Sequence, residues 1–304
     1  IHEKFPMFGS WAAFHDWDAI YQFAFGQVSR DTEHFVDYFS MARNPIDIAL
    51  SPFLVLAFRE FYVSQSDKYV HLKIPKSFIL EQNEKGRILS REVIQPYYAG
   101  WPSQFDVEII NDLNEIKIDT NIDLNNKGQF VTDEIIWKDT YQIKTPKMKS
   151  ITGMIGDSNK SIENDLDLLK IKIKLNEKLN ESATVGIVSL DDNELEKSRK
   201  ILLVVAGKTK NSNQKWNKNR TSTGRVDEGC NWGCAPVLVQ FIEFEAVLFL
   251  TEKEKPMIWT INEFGEKNKQ MEVEIQEIEN DKCKWIFKSD YSLPSLSFLI
   301  ERKL

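Results

Sequence analysis

From about Val63 to the end of the chain, short runs alternate between apolar and polar residues, and turn-forming residues separate them. Tyr69–Ile74 (YVHLKI), Val107–Ile110, Glu115–Ile118, Glu134–Trp137, Tyr141–Ile143, Leu168–Ile173, Thr184–Ser189 and Ile201–Val205 belong to this series. Val237–Phe241, Ala246–Leu250, Met257–Ile261, Met271–Ile275, Cys283–Phe287 and Ser297–Ile300 continue it. Asn-Asn-Lys-Gly at 125–128 and Glu-Phe-Gly-Glu at 263–266 supply turn chemistry between runs. A period of two residues puts one face of each run against a core and the other toward water. Many such runs at regular spacing predict a mainly β fold with an antiparallel β-sandwich body. Ser161–Leu169 and Asp192–Arg199 interrupt the series and read as short helices or loops.

The first 60 or so residues follow another pattern. Phe8–Asp16 reads as a short helix. Ala19–Phe25 (AIYQFAF) is almost wholly apolar and is ended by Gly26, which suits a strand buried on both faces. Asn44-Pro45 supplies an N-cap followed by proline at the first helical position. The apolar stretch Ile46–Glu60 then reads as a helix, with Pro52 predicting a kink or a late start. Helix, buried strand, loop and helix form a short N-terminal α/β segment. The expected division is 1–62 for this segment and 63–304 for the β-sandwich region, the latter as one unit or two packed sub-domains. A lone β/α unit this apolar needs covering, so the segment is expected to dock on the β body or on another chain.

Composition excludes several classes. The 304 residues carry a formal net charge of −7, against the basic face that nucleic acid requires. The lysine-rich run Lys208–Arg220 reads as a solvated loop. No apolar run is long enough to span a bilayer, since Ile46–Phe58 contains Asp47, Ser51 and Pro52. The opening IHEKFP has no basic and apolar signal-peptide regions, and without an initiator Met the first residue reads as a processing or cloning boundary. The compartment stays open. Cys230 and Cys234 in GCNWGC have a C-x3-C spacing, but the only other cysteine is Cys283 and the four histidines lie far upstream. Neither a metal nor another cofactor is expected, and the cysteines read as thiols, with a local or Cys283-linked disulfide as the alternative. Phosphate-loop, G-x-S-x-G and H-E-x-x-H motifs do not occur.

Three clusters could carry chemistry. Glu3 in IHEKFP sits where a carboxylate at the end of a strand could serve a glycosidase, or it is a surface glutamate. HDWDAIYQFAFG at 15–26 joins Asp16, Trp17, Asp18 and Tyr21. That group is either the rim of a carbohydrate cleft, with rings stacking on sugar faces and carboxylates binding hydroxyls, or a core tryptophan flanked by capping aspartates. KWNKNRTSTG at 215–224 with CNWGCAPVLVQ at 230–240 is a polar-ligand loop or a long loop tied by its own hydrogen bonds. Trp101, Trp137, Trp216, Trp232 and Trp259 are candidate sugar platforms or core residues.

At these residues the chain resembles the C-terminal part of large bacterial cellulase-like glycoside hydrolases, in which a (β/α)8 barrel precedes β-sandwich domains. The resemblance rests on WAAFHDWDAIYQFAFG (11–26), NPIDIALSPFLVLAFR (44–59) and TPKMKSITGMIG (145–156). It extends to the segments 188–216 and NRTSTG…NWGCAPVLVQ within 219–240. It implies that the first two pieces are the last strand and last helix of the barrel. It further implies glycosidic-bond hydrolysis by two carboxylates, with Glu3 as nucleophile and Asp16, Trp17, Asp18 and Tyr21 beside the sugar. The general acid would sit on a fourth barrel strand that has no counterpart here, and a barrel takes roughly 250 residues. The expectation is therefore a C-terminal region that is inactive alone, with carbohydrate as ligand and the rest of a barrel or another chain as docking partner. The competing expectation is a non-catalytic carbohydrate-binding or structural β-sandwich module.

Overall fold

The computed structural model describes residues 3–22, 41, 43–86, 104–122, 130–137, 140–154, 162–166, 169–174, 182–215, 233–251, 255–277 and 282–302. It is mainly β, with antiparallel sheets and three helices among the described residues. Two helices open the chain, α1 (Lys4–Phe14) and α2 (Pro45–Arg59). Asn44 caps α2 by accepting from the Ile46 N–H at 3.1 Å, Pro45 occupies the first turn, and Arg59 lies in the last. Pro52 neither delays nor ends this helix. Without a proline N–H the Ile48 carbonyl loses its usual donor, and the Ser51 hydroxyl donates to it instead at 2.8 Å.

α1 and α2 run side by side in the same direction. Lys4 meets Asp47 at 3.6 Å near their starts. Gly9 lies against Leu54 midway, where a β-carbon would fall 2.6 Å from the Leu54 Cα. Ala12 and Ala13 share a cleft with Phe58 and Arg59 at their ends. Small residues on α1 permit this close approach.

Next comes a small mixed sheet: β1 (Tyr69–Pro75), α3 (Lys76–Glu84), β2 (Gln104–Ile110) and β3 (Lys117–Thr120), in strand order β2-β1-β3. β1 and β2 are parallel, so the unit around α3 is a β-α-β crossover. Leu72 and Ile74 are its buried centre, packed by Phe78 and Ile79 of α3 and by Phe105 and Val107. Neither α3 nor a parallel pair is expected from the alternating pattern, which does not report strand direction.

The remaining strands are β4 (Phe130–Val131), β5 (Ile135–Trp137), β6 (Thr140–Lys144), β7 (Met148–Met154), β8 (Ile162–Leu166), β9 (Leu169–Lys174), β10 (Ser182–Ser189) and β11 (Lys200–Ala206). β12 (Thr209–Ser212), β13 (Cys234–Val239), β14 (Glu243–Thr251), β15 (Pro256–Ile261), β16 (Lys267–Gln270), β17 (Glu274–Glu277), β18 (Lys282–Lys288) and β19 (Ser297–Arg302) follow. They form a nine-stranded sheet, β16-β15-β19-β11-β10-β7-β6-β5-β4, and a five-stranded sheet, β17-β18-β14-β9-β8, with β12 and β13 paired separately. All these pairings are antiparallel among the described residues.

β10 and β11 show how the layers stack. Ala183, Val185 and Ile187 of β10, with Ile201, Leu203 and Val205 of β11, pack against Phe244, Leu248, Trp285 and Phe287 of the five-stranded sheet. The intervening Val188, Leu202, Val204 and Ala206 join Phe5, Phe14, Ile46, Leu50 and Phe53 of the helices. The nine-stranded sheet is thus covered on both faces, by a second sheet on one side and by α1 and α2 on the other. That explains why VGIV and ILLVVA are continuous apolar runs in an antiparallel sheet. The N-terminal helices therefore share a core with the β body.

Two expectations are corrected. Ala19–Phe25 does not begin as a buried strand: residues 19–22 have no regular structure, Ala19 and Gln22 are exposed, and Tyr21 is 92% exposed. The helical face of the sheet is already covered by α1 and α2, and residues 19–22 do not enter the core there. Residues 23–25 lie outside the described residues. Within Ser161–Leu169 the described residues are strand, not helix or loop: Ile162–Leu166 forms β8 and pairs with β9 from Ile162↔Ile173 to Leu166↔Leu169. The alternation is hidden there by the polar sequence IENDL, which suits an edge strand. Asp192–Arg199 is the expected connection, made of bends and turns.

Candidate functional site

α1 ends in a Schellman-type turn. The Asp16 N–H donates to the Ala13 carbonyl at 3.1 Å and the Trp17 N–H to the Ala12 carbonyl at 2.9 Å. The residue at the turn adopts a left-handed conformation, and here it is Asp16, with φ 56°. Glycine is usual at that position, and aspartate is among the side chains that tolerate it best. The Phe14 carbonyl is satisfied from outside by the Ser66 N–H at 2.9 Å, and Gln65 donates from Nε2 to the Asp16 carboxylate. The strand-bound segment after α2 thereby fixes the end of α1.

α2 ends beside it. Arg59 closes the helix, and Phe61 takes a second left-handed conformation, φ 51°, with its ring 61% exposed. A bulky aromatic in that region is strained. Between these two ends lies a cleft of about 220 Å³ whose walls include Asp16, Trp17, Asp18, Phe58, Arg59 and Phe61. It combines two carboxylates, a guanidinium and aromatic surfaces. The carboxylates accept hydrogen bonds, the guanidinium donates them, and the rings offer flat apolar faces. Such a set suits a neutral ligand bearing many hydroxyl groups. Asp16 both closes its helix and lines the cleft, and Trp17 is half-buried.

The other candidates lie elsewhere. Glu3 is exposed at the N-cap of α1 and makes no capping side-chain bond. The 11 residues of α1 separate it from Asp16 by roughly 16 Å at 1.5 Å per residue. Tyr21 is not among the cleft walls. Near Glu3, the Asp47 carboxyl is buried against Lys4; burial raises its pKa, and the Lys4 ammonium partly offsets this.

Trp259 is partly buried with the Lys267 ammonium over its ring at 5.4 Å, so that face is covered. The ring of Trp137, all of Trp101, Trp216 and Trp232, and Cys230 lie outside the described residues, as does nearly all of KWNKNRTSTG. Cys234 is exposed on β13 and Cys283 is buried in the sandwich core. Among the described residues no group of three or more His, Cys, Asp or Glu could hold a metal ion. Nor is any described helix long and apolar enough to cross a membrane. Phe58, Arg59 and Phe61 escaped sequence reasoning because only the parallel packing of α1 and α2 brings them to Asp16–Asp18. Comparison with protein-family models, curated proteins and solved structures finds no match for this chain.

Proposed function

We propose that this chain is the C-terminal, non-catalytic region of a glycoside hydrolase, and that it contacts carbohydrate through the cleft at the ends of α1 and α2. The observation that carries this reading is the convergence of Asp16, Trp17, Asp18 and Arg59 on one concavity. A pyranose ring has an apolar face of C–H groups and an edge of hydroxyls, and the cleft offers a partner to each.

Catalysis is not part of the proposal for the isolated chain. Glu3 stands some 16 Å along α1 from the cleft, whereas the two carboxyl groups of a retaining glycosidase lie about 5 Å apart. The test is calorimetric titration with cello-oligosaccharides, together with an assay on aryl glycosides. Binding is expected, weakened about tenfold by Trp17→Ala through loss of ring stacking, with no hydrolysis. Absence of binding at millimolar sugar would sink the proposal. Aryl-glycoside cleavage abolished by Glu3→Gln would overturn the non-catalytic assignment.

A further inference from the structure

Four described residues other than glycine have a left-handed backbone: Asp16, Phe61, Asp192 and Asn213. Aspartate and asparagine tolerate that conformation, because their short polar side chains can bond locally. Phe61, at φ 51°, is the exception among the described residues. A bulky side chain persists on a strained backbone only where its surroundings or its function require it.

The fold accounts for the turn but not for the ring. α2 ends at Arg59, and the chain then reverses so that Tyr62 and Val63, 5% and 0% exposed, join the core beneath the helices. The Tyr62 N–H donates to the Leu56 carbonyl at 3.2 Å across this reversal. A left-handed residue at position 61 makes the turn, and glycine would make it without strain. The Phe61 ring does not join the core that Tyr62 and Val63 enter, and it is 61% exposed. Its place is the wall of the cleft between the helix ends, shared with Asp16, Trp17, Asp18 and Arg59. Both helices thus end in a left-handed residue that is not glycine, and both of those residues line the cleft.

We propose that Phe61 is a ligand-contacting residue of this cleft, and that its ring occupies a strained turn because it stacks on the apolar face of a bound sugar ring. The ligand class is that of the proposed function, on which this assignment rests. The choice of residue comes from the backbone and the exposure of Phe61 itself.

The experiment is calorimetric titration of the full chain with cellotetraose, for the wild type, Phe61→Gly, Phe61→Tyr and Trp17→Ala, with thermal unfolding of each. Phe61→Gly should weaken binding about tenfold through loss of the ring. Its Tm should equal or exceed that of the wild type, because glycine relieves the turn. Phe61→Tyr keeps the ring and should bind as the wild type does. Phe61→Asn, which also suits a left-handed turn, is the second variant and should match Phe61→Gly in affinity. Wild-type affinity in Phe61→Gly, with binding weakened by Trp17→Ala, overturns the role of Phe61 and leaves the cleft reading intact. A fall in the Tm of Phe61→Gly assigns the ring to the fold and likewise overturns that role. No heat from the wild type at millimolar cellotetraose overturns the carbohydrate reading and the role of Phe61 with it.

Discussion

Gly186 shows how one missing side chain can set a layer spacing. A β-carbon there would fall 2.5 Å from Cε1 of Phe53 and 3.0 Å from Cβ of Ser150. Phe53, fully buried, fills that space from α2. Gly186→Val should therefore destabilise the protein by about 1–3 kcal/mol through overpacking, read from urea denaturation. Asp191 acts at the other end of β10. Burial opposes its ionisation, but donors from the Ser198 hydroxyl, the Arg199 N–H and the Ser189 hydroxyl outweigh this and lower its pKa to about 2. Arg302 holds the same loop from β19, donating from Nη1 to the carbonyls of Leu195, Glu196 and Ser198. A carboxyl whose folded pKa lies below its unfolded value of about 3.9 contributes stability above that value and loses it as pH falls through the folded one. The stability difference between wild type and Asp191→Asn should accordingly be present at pH 6. It should shrink between about pH 4 and pH 2 in urea midpoints measured across that range.

At the scale of elements, α2 joins strong local signals to an interior proline. Its cap and first-turn proline are both legible in Asn44-Pro45, and its buried residues Ile46, Leu50, Phe53 and Ala57 repeat at helical spacing. Pro52 remains tolerated because Ser51 replaces the lost donor to Ile48. Pro52→Ala should restore a backbone hydrogen bond and stabilise the helix by about 1–3 kcal/mol, seen as a raised Tm. Tyr141 links α1 to the sheet, its hydroxyl 2.6 Å from that of Ser10, which also donates to the Pro6 carbonyl at 2.6 Å. Burial raises the Tyr141 pKa, with the Ser10 bond opposing it. Tyr141→Phe should cost about 1 kcal/mol, because Ser10 keeps its Pro6 acceptor.

Across the whole molecule, the two cores on either face of β10 and β11 bind the helices and both large sheets into a single body, while the β1–β3 sheet has its own small core. Leu72→Ala should therefore raise amide exchange in β1, β2 and α3 with little change in the main unfolding transition. Loss of the main transition instead would show that the small sheet is coupled to the body. The sequence determined the mainly β character, the cap and extent of α2, and most of the strands, because each follows from local periodicity and turn chemistry. Ala19–Gln22 misled because its apolarity implies burial only if a surface is left to bury it, and α1 and α2 already cover that face. Strand order, the parallel β1–β2 pair and the three-layer stack came only from the tertiary structure, because they depend on pairings between distant residues. The same holds for the cleft at the ends of α1 and α2. Asp16, Trp17 and Asp18 were legible as a cluster, but Arg59 and Phe61 were brought into place by packing that no local pattern encodes.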